Sequence, residues 1–403
     1  MNAPGSSRPY DIVLFGATGF TGGLTADYLA THLPEHARWA IAGRSRSKLE
    51  AVRARLGADQ GVQGMDDGRP EVLIADAADP ESLRAIAESA RVVITTVGPY
   101  LQHGGPLVAA CAAAGTDYVD LTGEPEFMDR MYLEHHALAQ KTGARLVHAC
   151  GFDSIPHDLG AYFTVKQLPT DGPVAVRGIV RSNAMISGGT FHSGLGQMSR
   201  ARQMREASSE RKQIEPRTRG RRARAIAGSP RRDADLGLWL LPLPTCDPVI
   251  VKRSAAARPE YGPDFTYGHY AGMKRLTTLV GASAGVGALA AAAQVGPIRR
   301  LLGRAIPQGE GPSEERRARS WFTVDFIGEA SGVKVHTRVS GADPGYTETS
   351  KMLSEAAMCL AFDDNPATAG QVTTAAAMGD NLLRRLTDAG IEFALVDREV
   401  TKP

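Results

Sequence analysis

Blocks of apolar and polar residues alternate along the first 150 residues and predict strands separated by helices. The apolar runs are short and rich in β-branched residues, and amphipathic segments follow them after brief connections. Strands that are apolar on both faces are typical of parallel sheets covered by helices on both sides. We therefore predict a Rossmann-like parallel sheet over residues 1–150. Its strands are expected at 10–15, 39–42, 70–76, 91–97, 118–121 and 145–149, and its helices from the first glycine turn to 33, over 47–56, from 80 onward, over 105–114 and over 125–141.

The regular alternation ends after residue 150. Strand-like runs at 174–180, 248–252, 323–329 and 333–340 are separated there by polar or helical segments. This pattern favours an α+β domain with an antiparallel sheet over residues 151–345, which would hold substrate or form a dimer. We expect residues 346–403 to form helices that pack back on the first domain. The predicted fold class is thus α/β with a second α+β domain.

Three glycines follow the first strand and predict a nucleotide-binding turn. Gly16, Gly19 and Gly22 lie between an apolar strand and an amphipathic helix, which is the context that such a motif requires. The glycines permit a tight turn, close approach of phosphates to the backbone and close helix packing. Thr18 and Phe20 belong to the same turn and are expected to contact the cofactor. The spacing is that of a variant of the standard dinucleotide motif.

The end of the second predicted strand indicates which nucleotide is bound. An NAD-binding unit places a carboxylate there to hold the ribose hydroxyls. This chain has Arg44 and Ser45 instead, followed by Lys48. An arginine pairs well with a 2′-phosphate, and the hydroxyl and second cation would add to the site. The sequence therefore predicts NADP(H), the alternative being a solvated basic start to a helix.

The ends of the next two strands supply further candidate cofactor contacts. Asp76 and Ala77 follow the third strand and are expected at the adenine ring. Thr96, Val97 and Gly98 follow the fourth strand and are expected beside the nicotinamide ribose, because ligands bind at the carboxyl ends of parallel strands.

Composition narrows the class of protein. The chain has 403 residues, a net charge of +2 and 43% apolar residues, which suits two domains with large cores. It shows no global basic charge and no nucleic-acid-binding pattern, so we expect no nucleic-acid partner. Its four cysteines form no C-x-x-C pair, so we expect no metal site and a reducing, cytoplasmic environment. The N-terminus has no signal-peptide pattern.

An arginine-rich stretch covers residues 200–232, with eleven arginines and one lysine against three glutamates. Such composition favours a solvated loop. The alternative is a cationic docking surface for an acidic partner such as an acyl carrier protein.

A second unusual stretch, residues 276–298, contains no charged residue and has basic residues on both sides. Its length could span a bilayer, but its alanine and glycine content is high. We expect either a buried helix or reversible peripheral contact with a membrane surface, helped by Lys274, Arg275, Arg299 and Arg300.

Eight segments of the chain carry a family resemblance. They are Phe15–Gly22, Ala42–Ser45, Thr95–Tyr100, Asp120–Glu124, His148–Pro156, Ser187–Thr190, Asp343–Tyr346 and Thr374–Asp380. Together they resemble the saccharopine dehydrogenase-like NADP-binding family. More closely, the chain resembles the trans-acting enoyl reductases that serve polyketide synthases in phthiocerol and phenolphthiocerol lipid assembly. One departure is His157, where a serine is expected.

The resemblance implies that NADPH reduces the C=C bond of an α,β-unsaturated acyl thioester, presented by an acyl carrier protein or polyketide synthase. Such a site must polarise the thioester carbonyl and protonate the α-carbon. The physical candidates for these tasks are Tyr100, His148, Asp153 and His157. Each also has a structural alternative, since buried tyrosines and histidines are often core residues.

Two other functions fit the sequence. One is an imine or amino-acid reductase like saccharopine reductase, in which Arg177, Arg181 or Lys252 would hold substrate carboxylates. The other is a non-enzymatic NADP-binding protein attached to lipid surfaces. An apolar pocket favours enoyl thioesters, converging arginines favour amino acids, and a cofactor cleft without a neighbouring cavity favours the non-enzymatic function.

Overall fold

The computed structural model describes residues 8–59, 69–184, 188–216, 218–305 and 311–400. The first part of the chain alternates strand and helix, as predicted. The sequence did not indicate the short helix α4, which follows the fourth strand. The elements are β1 Tyr10–Phe15, α1 Phe20–His32, β2 Trp39–Gly43, α2 Arg46–Asp59, β3 Glu71–Ile74, α3 Pro80–Ser89, β4 Ala90–Thr95, α4 Tyr100–His103, α5 Gly105–Ala114, β5 Asp117–Asp120, α6 Pro125–Thr142 and β6 Arg145–Val147.

Local sequence explains where these helices begin and end. The Asp79 side chain accepts a hydrogen bond from the Glu81 N–H and caps α3, with Pro80 in the first turn. Gly143 ends α6 at φ 86°, a left-handed conformation that favours glycine.

The remaining elements form a second sheet, further helices and one strand, β14, that belongs to the first sheet. They are α7 Ile155–Val165, β7 Pro173–Ser182, α8 Gly188–Ser199, α9 Ala201–Ile214, β8 Arg222–Ile226, β9 Arg231–Arg232, β10 Trp239–Pro242, α10 Asp247–Ala257, a 3₁₀ turn Pro259–Tyr261, β11 Asp264–Met273, α11 Leu276–Ala293, α12 Gly296–Ala305, α13 Glu314–Ala318, β12 Phe322–Ala330, β13 Val333–Gly341, α14 Thr347–Phe362, β14 Gly370–Val372, α15 Thr374–Ala377, α16 Gly379–Asp388 and β15 Glu392–Val400.

The first sheet has seven parallel strands in the order β14-β6-β5-β4-β1-β2-β3. The predicted Rossmann-like class is therefore confirmed. The order reverses between β1 and β4, and this reversal is where a doubly wound sheet opens a crevice for a ligand.

The second sheet has eight strands, with β15-β13-β12-β7-β11-β10-β9 in order and β8 beside β11. It is mixed rather than antiparallel as predicted, because β11 runs parallel to both β7 and β8. The strand predicted at 248–252 is wrong. These residues lie in α10, which Asp247-Pro248 begins with proline in the first turn.

The C-terminal residues are not all helical. α14 packs on α1 and α16, as expected for helices that return to the first domain. However, β14 joins the edge of the first sheet and β15 joins the edge of the second. One apolar core passes through both parts, since Leu14 of β1, Leu353 of α14 and Phe326 of β12 belong to the same buried cluster.

The arginine-rich stretch is not a solvated loop in its described residues. Most of it forms α9 and β8, and α9 packs on α6. The Arg211 side chain is buried and contacts Asp129, Glu215 and Gln371. Arg217 lies outside the described residues.

Candidate cofactor and substrate cleft

The glycine turn after β1 has the geometry that a dinucleotide site needs. Gly16 has φ 102°, and its N–H donates to the Ala42 carbonyl at 2.9 Å. A Cβ atom on Gly22 would lie 2.1 Å from the Gly16 carbonyl oxygen, so the turn and helix can approach only without a side chain there. Gly19 caps α1 without a side-chain hydrogen bond, which leaves the first N–H groups directed toward a phosphate.

The other predicted residues of this turn point in different directions. Thr18 is exposed at the turn. The Phe20 ring packs edge-on against Tyr346, with centroids 4.9 Å apart, and so joins α1 to the start of α14. Its predicted contact with the cofactor remains a prediction.

The 2′-phosphate candidates lie at the carboxyl end of β2. Arg44 and Lys48 are exposed, and Ser45 precedes α2 with its Oγ 3.5 Å from the Lys48 N–H. Residues 43–48 contain no carboxylate. Two cations beside a hydroxyl suit a phosphate ester better than a ribose diol.

The ends of β3 and β4 border the same crevice. Asp76 forms a local turn, accepting from the Ala78 N–H at 3.0 Å, and Ala77 is half-buried beside it. Thr96 Oγ1 donates to the Gly16 carbonyl at 3.2 Å. Val97 also packs against Gly16, so the loop after β4 lies on the glycine turn.

A cavity of about 790 Å³ opens where the loop after β4 ends. Small-molecule sites occupy roughly 300–1,000 Å³. Gly98 and Pro99 form one side of it, and α8 forms the other. Most of the lining residues carry polar side chains. The α8 residues are His192, Ser193, Gly196 and Gln197, and the others are Leu101, Gln102, His103, Glu124, Arg130 and Arg200.

Three side chains hold α8 against the loop after β5 and the first turn of α6. We refer to them as the α8 clamp: Ser193 and Gln197 of α8, and Arg200 just after it. Ser193 Oγ donates to Glu124 at 2.9 Å, and Gln197 Nε2 donates to the Gly123 carbonyl at 2.7 Å. The Arg200 guanidinium makes a two-point contact with Glu126 at 2.7 and 2.8 Å. Their spacing places all three on one helical face.

The two arginines that line the cavity are both paired with Glu126. Burial would raise the pKa of Glu126, but Arg200 and Arg130 hold it below its usual value. Arg130 Nε donates to the same carboxylate at 2.9 Å. The two arginines are therefore already bonded to protein, which reduces their attraction for a substrate carboxylate.

Tyr100 is buried next to this cavity but does not line it. Its hydroxyl donates to the Thr95 carbonyl and accepts from the Leu121 N–H, both at 3.1 Å. Burial raises the pKa of Tyr100 well above its usual value, and Asp120 adds to the effect. This geometry favours a role in joining the loops after β4 and β5, and proton donation by Tyr100 remains a prediction.

His148 forms a buried pair with Asp120. Its Nδ1 lies 2.7 Å from Asp120 Oδ2, and the other carboxylate oxygen accepts from the Thr122 and Ala149 N–H groups. The His148 Nε2 is buried and has no hydrogen-bond partner among the described residues. The carboxylate thus fixes the ring and its tautomer. Rings of Tyr118 and Phe127 pack against it.

The other two catalytic candidates lie elsewhere. Asp153 is half-buried beside Gly123. His157 belongs to a buried trio in which its Nε2 lies 3.4 Å from Asp247, and His269 Nε2 lies 3.6 Å from the same carboxylate. These three ligand-type atoms lie within 4.8 Å of one another, a convergence that spacing along the chain did not reveal.

Burial and mutual charge shift the pKa of each member of the trio His157, Asp247 and His269. Burial lowers the pKa of His157, and it lowers the pKa of His269 to about 4, so both rings are neutral at pH 7. Burial would raise the pKa of Asp247, but the two histidines hold it below its usual value. We interpret the trio as a link between α7, α10 and β11. The expectation of no metal remains a prediction.

Comparison with known proteins identifies the family. Residues 12–147 match the saccharopine dehydrogenase NADP binding domain. A Mycobacterium tuberculosis protein assigned as a trans-acting enoyl reductase is 37% identical over 423 aligned residues, covering 96% of this chain and 97% of that protein. A trans-acting enoyl reductase of Mycobacterium ulcerans is 36% identical over the same shares of both chains.

The chain belongs to the trans-acting enoyl reductase family. It is an NADP-dependent oxidoreductase, as predicted, and the glycine turn and Arg44 fit that cofactor. Saccharopine dehydrogenase (L-Glu forming) from Saccharomyces cerevisiae has a similar fold, with a TM-score of 0.55 at 12% identity over 98% of this chain and 100% of that chain. At that identity the likeness shows the fold alone.

Sequence reasoning missed the α8 clamp and the α8 side of the cavity in this enoyl reductase. Glu124 stood in a motif after β5, but nothing in the sequence indicated that α8 would reach it. The three clamp residues lie roughly 70 residues further along the chain. Ser187, in a motif just before α8, lies outside the described residues.

Proposed function

We propose that the protein reduces the C=C bond of an α,β-unsaturated acyl thioester in lipid or polyketide assembly, and that the thioester lies in the cavity between the loop after β4 and α8. The observation that carries this proposal is the position of that cavity. It adjoins the loop that lies on the glycine turn, at the carboxyl edge of the parallel sheet. NADPH, when bound, supplies the hydride.

Residues lining the cavity would perform the remaining tasks. Gln102 is an amide donor able to polarise a thioester carbonyl, and Gln197 keeps a second Nε2 hydrogen besides the one that it donates to Gly123. His103, His192 and Ser193 carry transferable protons at the cavity. The α8 clamp would exclude water by holding α8 over the loop after β5.

The partners remain part of the proposal. A thioester carried by an acyl carrier protein or polyketide synthase would enter through the open side of the cavity. The trans-acting name of the relatives supports delivery by a separate protein. Cytoplasmic location and a homodimer also stay proposals.

A second candidate is reduction of an imine or amino acid. Arg130 and Arg200 at the cavity favour it, although both bond to Glu126. Arg177, suggested by the sequence, bonds instead to Asp233 and Glu329. The adjoining cavity argues against a purely non-enzymatic role.

The test uses NADPH carrying deuterium at C4 of the nicotinamide. With a short soluble enoyl thioester, we expect cofactor oxidation and a saturated product with deuterium at the β-carbon. The same assay with an α-keto acid and an amine would report imine reduction. Deuterium only in the amino-acid product would overturn the enoyl reductase proposal.

A matched pair of variants tests the assigned proton donors. His192→Gln and His103→Gln each remove one transferable proton from the cavity lining. Loss of the alkaline limb of the pH–rate profile in one variant identifies the donor, because a proton donor becomes inactive when it is deprotonated. Unchanged pH–rate profiles in His192→Gln, His103→Gln and Ser193→Ala would place the proton donor outside this set of lining residues. His148 would then be the next candidate.

A further inference from the structure

The helix α11 is apolar but lies on the outside of the protein. Its 18 residues have a mean hydropathy of 1.6, yet only 11% of them are buried. The buried ones are Leu279 and Ala293. A helix that is apolar all round normally lies in a protein core or in lipid.

Exposed apolar side chains gather on α11 and α12. The described residues include fourteen exposed large apolar side chains, and six of them lie between residues 276 and 301. Clustering of this kind marks an interaction surface, whereas scattered apolar residues do not. The six are Leu276, Val280, Val286, Val295, Ile298 and Leu301.

The charges in the segment that contains α11 and α12 have one sign. Residues 265–309 contain no aspartate or glutamate, whereas the same stretch contains Lys274, Arg275, Arg299, Arg300 and Arg304. Lys274 and Arg275 are exposed, and the side chains of the three later arginines lie outside what the structure describes. An apolar face with basic borders complements an anionic lipid leaflet, where each such cation favours binding.

The length and anchoring of α11 favour a seat on the surface rather than a span. At 1.5 Å per residue the helix is about 27 Å long, and a span needs about 20 residues. One side of α11 contacts α8, β10 and β11. Beyond its end, Gln294 Nε2 donates to the Met198 carbonyl of α8 at 2.7 Å.

The helix α8 therefore lies between the exposed apolar surface and the cavity. Gly196 and Gln197 of α8 line the cavity, and Met198 in the same turn is bonded to the chain just after α11. A protein seated through α11 and α12 would hold the cavity beside the lipid.

From these observations we infer that the surface formed by α11 and α12 binds reversibly to an anionic lipid bilayer. Valine and leucine side chains enter the boundary between headgroups and acyl chains, and the exposed cations Lys274 and Arg275 contact lipid phosphates. The inference does not depend on which thioester or amino acid the cavity reduces.

The test measures co-sedimentation of the full chain with vesicles of phosphatidylcholine alone or mixed with phosphatidylglycerol. We expect binding to the mixed vesicles, weaker binding to phosphatidylcholine, and release by salt or carbonate. Val280→Asp/Val286→Asp should reduce partitioning by roughly tenfold or more, because two apolar contacts are lost. Lys274→Gln/Arg275→Gln should reduce only the preference for anionic lipid.

Ile226→Asp is the matched control, since Ile226 is 49% exposed and Val286 46%, but Ile226 lies on β8. All variants should keep their melting temperature and their activity on a short soluble substrate. Equal vesicle binding by Val280→Asp/Val286→Asp and the parent would overturn the inference. Two other results would also overturn it. One is retention of the protein on the vesicles after a carbonate wash, which indicates a membrane span. The other is a dimer that forms without lipid and that Val280→Asp/Val286→Asp converts to a monomer.

Discussion

Glu124 accepts a hydrogen bond from Ser193 at 2.9 Å and also from the backbone N–H groups of Tyr100 and Leu101, at 3.3 and 2.9 Å. One buried carboxylate thus joins both sides of the cavity. Glu124→Gln introduces an amide donor where three donors already converge. A hydrogen bond to a charged group is worth about 1.5–3 kcal/mol, so kcat/KM should fall roughly 10- to 100-fold.

Ser193→Ala serves as the graded control for this change, because it removes one of the three donors and leaves the two backbone bonds. Its effect on kcat/KM should be several-fold smaller. Steady-state kinetics with melting curves separate the effects. A Glu124→Gln enzyme with unaltered kcat/KM would show that the clamp does not shape the cavity.

Gly22→Ala should disrupt the cofactor turn. The new methyl group would meet the Gly16 carbonyl oxygen at 2.1 Å, and backbone cannot move aside cheaply. We expect destabilisation of about 1–3 kcal/mol and strongly weakened NADPH binding. At the neighbouring Gly23 the nearest atom to a Cβ is 3.9 Å away. Gly23→Ala should therefore be neutral or gain up to about 1 kcal/mol by helix propensity, as measured by calorimetry.

Arg44→Ala should weaken NADPH binding by about 1.5–3 kcal/mol and leave NADH binding nearly unchanged. Isothermal titration with both cofactors measures the difference. Arg46→Ala is the control, because Arg46 is also exposed but pairs with Glu50 at 4.0 Å within α2. Equal losses for both cofactors in Arg44→Ala would remove the assignment of the 2′-phosphate.

The adjacent residues Arg221 and Arg222 should behave differently. Arg221 donates to the backbone carbonyls of Ala255, Arg258 and Gly262, so it fixes the end of α10. Arg221→Gln should cost about 1–2 kcal/mol and lower the melting temperature. Arg222 is exposed, and Arg222→Gln should not affect folding. If Arg222→Gln also leaves KM for a carrier-bound substrate unchanged, this part of the arginine-rich stretch is not a docking site.

Stability should fall as the pH decreases below about 6.5. Burial lowers the pKa of His269 to about 4, so the unfolded chain binds a proton that the folded protein excludes. The contribution of neutral His269 to the free energy of unfolding is complete above the pKa of histidine in the unfolded chain, and it is lost as the pH falls toward 4. For one proton, the free energy of unfolding changes by at most about 1.4 kcal/mol per pH unit. Urea titrations of His269→Gln should show a flatter profile, whereas exposed His32→Gln should match the parent.

Local rules predicted the cofactor half of the protein well. Strands, glycine turn and Arg44 lie close together along the chain, so hydrophobic period and turn chemistry specify them. The strand predicted at 248–252 failed because its apolar run is as compatible with a buried helix, and Asp247-Pro248 determined the outcome.

The cavity depends on contacts between distant parts of the chain. Glu124 and Ser193, or His157 and His269, meet only because two sheets pack together. A single sequence carries no signal for such pairs. The prediction of a solvated loop for the arginine-rich stretch was wrong for the same reason. Arg211 contacts Asp129 of α6, which lies 82 residues away in the sequence.

The strands β14 and β15 both follow residue 369, and each closes an edge of a different sheet. Neither sheet is therefore complete until residues 370–400 have folded onto the rest of the protein. A chain lacking that segment would expose the edge of β6, where unpaired N–H and C=O groups invite association with other chains. Loss of this one segment should therefore damage both halves of the reductase.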